Sequence, residues 1–299
     1  MNVFWIAWGL IIAVMAIRGL VFVWRGLSAK SYAASSVIDP ATEMLLEDFG
    51  LSAIAIGRGT CVFSRIGGLP DLPLSHEWPI DPEGKPLAFL CQIALKELPA
   101  ISRRLGFPPH GALFFFYCQD QSFGGDFPDH APGWRVIYLP KLPPATPRTA
   151  PTGLKPKRIY TSAPLEFWTT TTYSPVSDAE LRELCISADD YLAFLESRER
   201  PSPLHLMGGY PDSLHDLDME ERCELASNGI KPHDRKAYNS PQGIAIRERP
   251  RDWKLLLQLD SDDRAGMNWG DGGMLYFWIR ASDLAAKDFS KVWMIGQTH

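Results

Sequence analysis

Cysteine is scarce and unpatterned in this sequence. Cys61, Cys91, Cys118, Cys185 and Cys223 are odd in number, far apart and without a C-x-x-C pair, which excludes a zinc ribbon and a disulfide framework. Three of them lie in apolar, strand-like runs and read as small buried hydrophobes of a reducing compartment. No phosphate loop, nucleophile elbow, H-E-x-x-H or strand-linked G-x-G-x-x-G occurs, so the common nucleotide, hydrolase and zinc-protease chemistries are missing at motif level. Positive charge is also scarce beyond the N-terminus. The chain has 30 Lys and Arg against 35 Asp and Glu, and three of its bases, Arg18, Arg25 and Lys30, fall in the first thirty residues, which hold no acid. The remainder carries a net charge of -8, an unfavourable surface for phosphate backbones, and no nucleic-acid partner is expected.

One long apolar stretch is present. Val3–Ile17 has no charge, Arg18 follows, and Gly19–Trp24 is again apolar or glycine. As a helix, residues 3–24 span roughly 33 Å, enough to cross a hydrocarbon core of about 30 Å, with the Arg18 stem reaching toward the interface. The charges follow the stretch, so the positive-inside rule predicts a single-pass inner-membrane anchor over residues 1–30 with the C-terminal part in the cytoplasm. A signal peptide cut near Ala33 is the competing reading; the absence of Lys or Arg before the apolar run opposes it.

Residues 31–299 read as an α+β domain dominated by antiparallel β-structure with peripheral helices. Strands are predicted at Ser52–Ile56, Thr60–Ile66, Leu87–Leu95, Gly111–Cys118, Arg135–Leu139, Phe167–Tyr173, Trp253–Leu259 and Met274–Ile279. Helices are predicted after Asp39-Pro40, over Asp178–Ile186 and Ala188–Arg198 behind the caps Ser177 and Ser187, over Ser213–Ser227 behind Asp212, and over Ser282–Lys287. Seven prolines in residues 140–164 mark a connection between two halves.

The halves echo each other. Ile66-Gly67-Gly68-Leu69-Pro70-Asp71 returns as Met207-Gly208-Gly209-Tyr210-Pro211-Asp212, Leu87–Ile93 as Lys254–Leu259, and Gly111–Phe116 as Gly273–Trp278. Three matches in one order predict two duplicated units, about 45–139 and 165–295, packed about a pseudo-two-fold axis. Gln92 and Gln258 each interrupt an apolar strand and are expected to hydrogen-bond a turn or a sheet edge, because a buried amide must be satisfied.

Ser64–Pro70 with Leu72-Pro73 and Trp78-Pro79, Leu87–Leu95, Gly111–Tyr117, Gly208-Gly209-Tyr210-Pro211, Leu255–Asp260, Trp269-Gly270-Asp271-Gly272-Gly273, Phe277 and Asp288-Phe289-Ser290 together resemble the YwqG-like family of bacterial proteins. The resemblance implies an α+β fold on antiparallel sheet and supplies no catalytic residue.

Chemistry-bearing candidates are few. Asp260-Ser261-Asp262-Asp263 precedes Asn268-Trp269-Gly270-Asp271-Gly272 across an expected hairpin, so Asp260, Asp262 and Asp271, with Trp269 beside them, are candidates to meet one divalent cation or one basic partner. Arg264 and Ala265 contradict an EF-hand. Asp126, Asp129 and His130 form a second, weaker cluster, and His205, His215 and His233 are expected on the surface. The leading expectation is a membrane-anchored protein-binding module, immunity-like in one version, that is no enzyme and needs no cofactor. The alternative is a small-ligand or divalent-metal binder, or an enzyme, with its site in the cleft between the two units.

Overall fold

The apolar runs become one antiparallel sheet. Its strands are β1 (Gly50–Arg58), β2 (Arg65–Ile66), β3 (Ala88–Ala94), β4 (Ala112–Tyr117), β5 (Trp134–Leu139), β6 (Ala163–Tyr173), β7 (Leu206–Gly208), β8 (Trp253–Asp260), β9 (Met274–Arg280) and β10 (Trp293–Gln297). They form a ten-stranded sheet in the order β10-β9-β8-β7-β1-β6-β2-β3-β4-β5. The computed structural model describes residues 38–174, 176–215 and 218–299. No helix among them is long and apolar enough to cross a membrane, and the expected anchor lies outside the described residues.

The strand order is palindromic. Exchanging β1 with β6, β2 with β7, β3 with β8, β4 with β9 and β5 with β10 returns the same order reversed. The long strand β1 pairs along its whole length with β6, from Gly50 opposite Tyr173 to Arg58 opposite Leu165. Each also pairs with the short strand of the other half, β1 with β7 and β6 with β2. The irregularities match as well, with a register shift at Phe89/Cys91 in β3 and at Leu255/Leu257 in β8.

β3 and β4 are buried on both faces. Phe115 points one way and meets Phe277 of β9 edge-on at 5.3 Å; Phe114 and Phe116 point the other way, under Phe63 and Trp78. Trp78 is fixed over β3 by its indole N–H, which donates to the Leu87 carbonyl at 2.9 Å. At the ends of the sheet, Trp134 of β5 donates to the Val292 carbonyl and stacks edge-on against Trp293 of β10. The Gly296 N–H donates to the Gly124 carbonyl at 3.0 Å, so the sheet is nearly closed by side chains and a loop where ladder bonds are missing.

Both glutamines do what a buried amide must. Gln92 Oε1 accepts the Asp71 N–H at 2.9 Å, and its Nε2 donates to the Phe63 carbonyl and Asp71 Oδ2. Gln258 repeats the set with the Asp212 N–H, the Leu204 carbonyl and Asp212 Oδ2. Each amide thus clamps a Gly-Gly-x-Pro-Asp turn onto the sheet. The turns need glycine: Gly67 has φ +67° and a Cβ there would stand 2.3 Å from the Thr161 carbonyl oxygen, while Gly209 has φ +70° and a Cβ there would stand 2.4 Å from Thr172 Oγ1. Arg65 closes the first clamp on Asp71 at 2.6 Å; in the second, Leu206 occupies the position of Arg65, and Arg200 reaches Asp212 from upstream.

The chain divides into two compact units, Glu47–Ser177 with Arg198–His299, and Asp178–Ser197 with the segment ending at Leu46. The second contains the helices Asp178–Glu183 and Ala188–Glu196, the latter capped by Ser187 Oγ accepting the Asp190 N–H as expected. Several sequence expectations need correction. The helix expected from Ser213 starts at Met219 under Asp218, because Asp212 is taken by Gln258. Thr60–Ile66 shortens to the two residues of β2, and β7 and β10 were not expected as strands.

Replacing Gln92 or Gln258 by Leu leaves a buried N–H and a buried carbonyl without partners and should cost about 2–4 kcal/mol in each case. Urea unfolding of the two variants checks this, and a loss below about 1 kcal/mol in either would contradict the clamp.

Candidate functional site

A cavity of about 190 Å³ opens where the end of β1 passes the entry to β7 and the loop after β8. Arg58 reaches it from β1, His205 from the residue before β7, and Asp262 and Arg264 from the turn that follows β8. His205 occupies the place that Ser64 holds in the first half. Ser64 Oγ accepts the Ala94 N–H at 2.8 Å, and His205 Nδ1 accepts the Asp260 N–H at 3.0 Å. With Nδ1 an acceptor, the ring carries its proton on Nε2. That atom is buried, has no hydrogen-bond partner and stands 3.9 Å from Asp262 Oδ2.

Asp262 is held on several sides. Arg58 Nη2 donates to Oδ2 at 3.0 Å, and the N–H groups of Arg264 and Ala265 donate to Oδ1. Burial works to raise its pKa, but the neighbouring His205 ring and the Arg58 guanidinium outweigh it and hold the carboxyl well below the usual range. Arg58 spends one nitrogen on this pair, and its Nε is buried with no partner. Arg264, exposed at the rim, forms no ion pair among the described residues. The cavity lining therefore holds two guanidinium groups, of which only Arg58 contacts the one carboxylate, Asp262, while the buried N–H groups Arg58 Nε and His205 Nε2 have no hydrogen-bond acceptor.

The three expected carboxylates do not converge. Asp260 is buried, its Oδ2 accepts the Leu204 N–H at 2.8 Å, and burial raises its pKa. Asp271 is exposed beyond the hairpin turn, where its N–H donates to Thr298 Oγ1. Among the described residues no three His, Cys, Asp or Glu groups are arranged to hold a metal ion. Trp269 is buried against Tyr117 and Tyr160 in the wall of a different cavity, and Gln92 and Gln258 serve the turn clamps. The Asp126 cluster also dissolves: Asp126 pairs with Arg222 at 2.7 Å, while His130 Nδ1 accepts the Gly125 N–H.

The Gly-Gly turns, the clamping glutamines and the Trp269 hairpin all fall inside a single family match. A model described as a domain of unknown function, DUF1963, covers residues 64–297. The chain belongs to the DUF1963 family. No curated protein matches it. The DUF1963 segment contains His205, Asp262 and Arg264, whereas Arg58 lies just before it.

Sequence reading missed Arg58 and His205 and placed His205 on the surface, although it is 3% exposed. A signal for it existed, since it stands two residues before Met207-Gly208-Gly209 just as Ser64 stands two before Ile66-Gly67-Gly68, and that register is buried. Arg58 had no such echo.

The folded-state pKa of Asp262 lies below its unfolded value, so its contribution to stability is complete above the unfolded pKa of about 3.9 and is lost as pH falls through the folded one. The stability gap between wild type and Asp262→Asn should be widest above about pH 5 and shrink below about pH 4. Urea unfolding across this range reads it; a gap that does not change with pH would contradict the pairing.

Proposed function

We propose that this DUF1963 domain binds a small anionic ligand, a carboxylate or similar oxyanion, in the cavity formed by Arg58, His205, Asp262 and Arg264. The carrying observation is the lining itself, which gathers two guanidinium groups, Arg58 and Arg264, and the His205 ring around a single carboxylate, Asp262. An anionic oxygen in the cavity gains charge-assisted hydrogen bonds from the guanidinium groups of its lining. Asp262 holds the Arg58 fork in place, and Arg264 adds attraction at the mouth. This takes up the alternative reading of the sequence, a ligand site where the two halves meet, and it is a reading of binding and not of turnover.

Three finer proposals accompany it. The palindromic strand order, the paired register shifts and the two glutamine clamps support descent of residues 45–139 and 165–295 from one duplicated unit. The quoted motifs support placing the chain on the YwqG-like side of its family. The apolar run Val3–Trp24 and the charges after it support an inner-membrane anchor with the domain in the cytoplasm. The acidic composition alone supports a protein partner, and no described surface favours that role over the cavity.

Inorganic phosphate and acetate are the probes. Either should raise the melting temperature of the wild-type protein with concentration, as mass action requires for a ligand of the folded state. Arg264→Ala should weaken binding about five- to tenfold while leaving stability in buffer within about 0.5 kcal/mol, because its side chain is exposed and unpaired. Absence of any shift with both anions would overturn the proposal. For the anchor, alkaline carbonate extraction should leave the full chain in the membrane pellet, and release to the supernatant would refute it.

A further inference from the structure

The charged groups make up only part of the wall of the cavity beside His205. The rest is apolar, with Ile56, Ile66, Leu165, Trp168, Pro201 and Pro203 lining the same 190 Å³ space. Trp168 stands apart from the other tryptophans of the domain. It is 40% exposed, whereas every other tryptophan among the described residues is buried. It stands on β6 opposite Ala55 of β1, and its six-membered ring crosses Gly57, with Cζ3 and Cη2 each 3.0 Å from where a Cβ of residue 57 would be. Gly57 also lines the cavity, so the missing side chain is what lets the ring lie against β1 there.

Such a wall is wrong for a bare phosphate. A small inorganic anion needs hydrogen-bond donors on every side, and apolar surface supplies none. An anion that carries an apolar body suits both parts of the lining, because the body leaves water against the apolar wall while the charge stays with the guanidinium groups. The indole favours a flat ring in that body, since aromatic pairs gain beyond the area they bury. Size sets the upper limit. A cavity of about 150 Å³ holds one benzene, so this one admits a single ring with its carboxylate and excludes a nucleotide or a disaccharide. Asp262 is no free negative charge, being held by Arg58 and by the Arg264 and Ala265 N–H groups. The exposed Arg264 guanidinium is left for the ligand.

We infer that the ligand of this cavity is a carboxylate on a single flat ring, the ring lying against Trp168 and the apolar wall and the carboxylate meeting Arg264. This rests on the anion reading of the cavity and narrows it. Trp168 selects the body of the ligand, and Arg264 its charge.

The test uses the full 299-residue chain with ¹⁵N-labelled tryptophan, and benzoate, acetate and benzamide as probes. Benzoate should bind about tenfold tighter than acetate, and benzamide, of the same shape without the charge, about five- to tenfold weaker than benzoate. The Trp168 indole resonance, assigned by its loss in Trp168→Thr, should move saturably with benzoate and by far less with acetate. Threonine already occupies positions 169–172 of β6, so the strand accepts it. In that variant the preference for benzoate should vanish while the affinity for acetate is unchanged. Equal weakening of both would mark a structural role and overturn the inference. Acetate binding in the wild type with no preference for benzoate would also overturn it, would need no variant, and would leave the anion reading standing. Failure of benzoate, acetate and phosphate alike would overturn that reading and this inference together.

Discussion

A side-chain amide buried in the middle of an apolar strand constrains both halves of this molecule. Gln92 and Gln258 are each 0% exposed, in surroundings where an unsatisfied amide is costly, and each recovers that cost from the same three backbone and side-chain partners. Two of those partners belong to the aspartate of a glycine-pair turn that can adopt its left-handed backbone only because no Cβ is present. The amide, the glycines and the aspartate are thus mutually dependent. With the turn fixed, the segment just before it, Ser64 in one half and His205 in the other, is brought against the end of the neighbouring strand.

The cavity beside His205 follows from that dependence together with a difference between the halves. Ser64 and His205 fill equivalent places and satisfy equivalent N–H groups, but the imidazole has a second nitrogen left over. The first half uses Glu97 to accept the Phe63 and Ser64 N–H groups; the second uses Asp260 for Leu204. The scaffold is therefore repeated while its polar lining is not, and the lining that differs is where two donors stand without acceptors.

Much of the fold was legible in the residues. Alternating and continuous apolar runs marked β3, β4, β8 and β9 to within a residue or two, and the interrupting glutamines announced their own hydrogen bonds. β7 was not legible, since Leu206-Met207-Gly208 is too short for a period of two to register and its strand character comes from pairing with β1. β10 is covered by closure against Trp134, a contact across 158 residues of sequence that no local window contains. The site was less legible for the same reason. Asp262 stood out by composition, but Arg58 joins it across 204 residues, and the sequence offered Asp260 and Asp271 as companions because they were near in the chain.

The exchange of pairing between β1 and β6 has a consequence for how the polypeptide is made. β1 takes both of its neighbours, β6 and β7, from the later half of the chain, so when the first five strands leave the ribosome β1 has no strand to pair with and β2 is an open edge. Neither half is a folding unit by itself, despite the resemblance between them. After β5 ends at Leu139 the nascent first half must wait for about seventy further residues, until β7 at Leu206–Gly208, with its apolar strands incompletely covered. Through that interval the open edge of β2 and the apolar faces of β3 and β4 are the surfaces on which a nascent chain is prone to mispair.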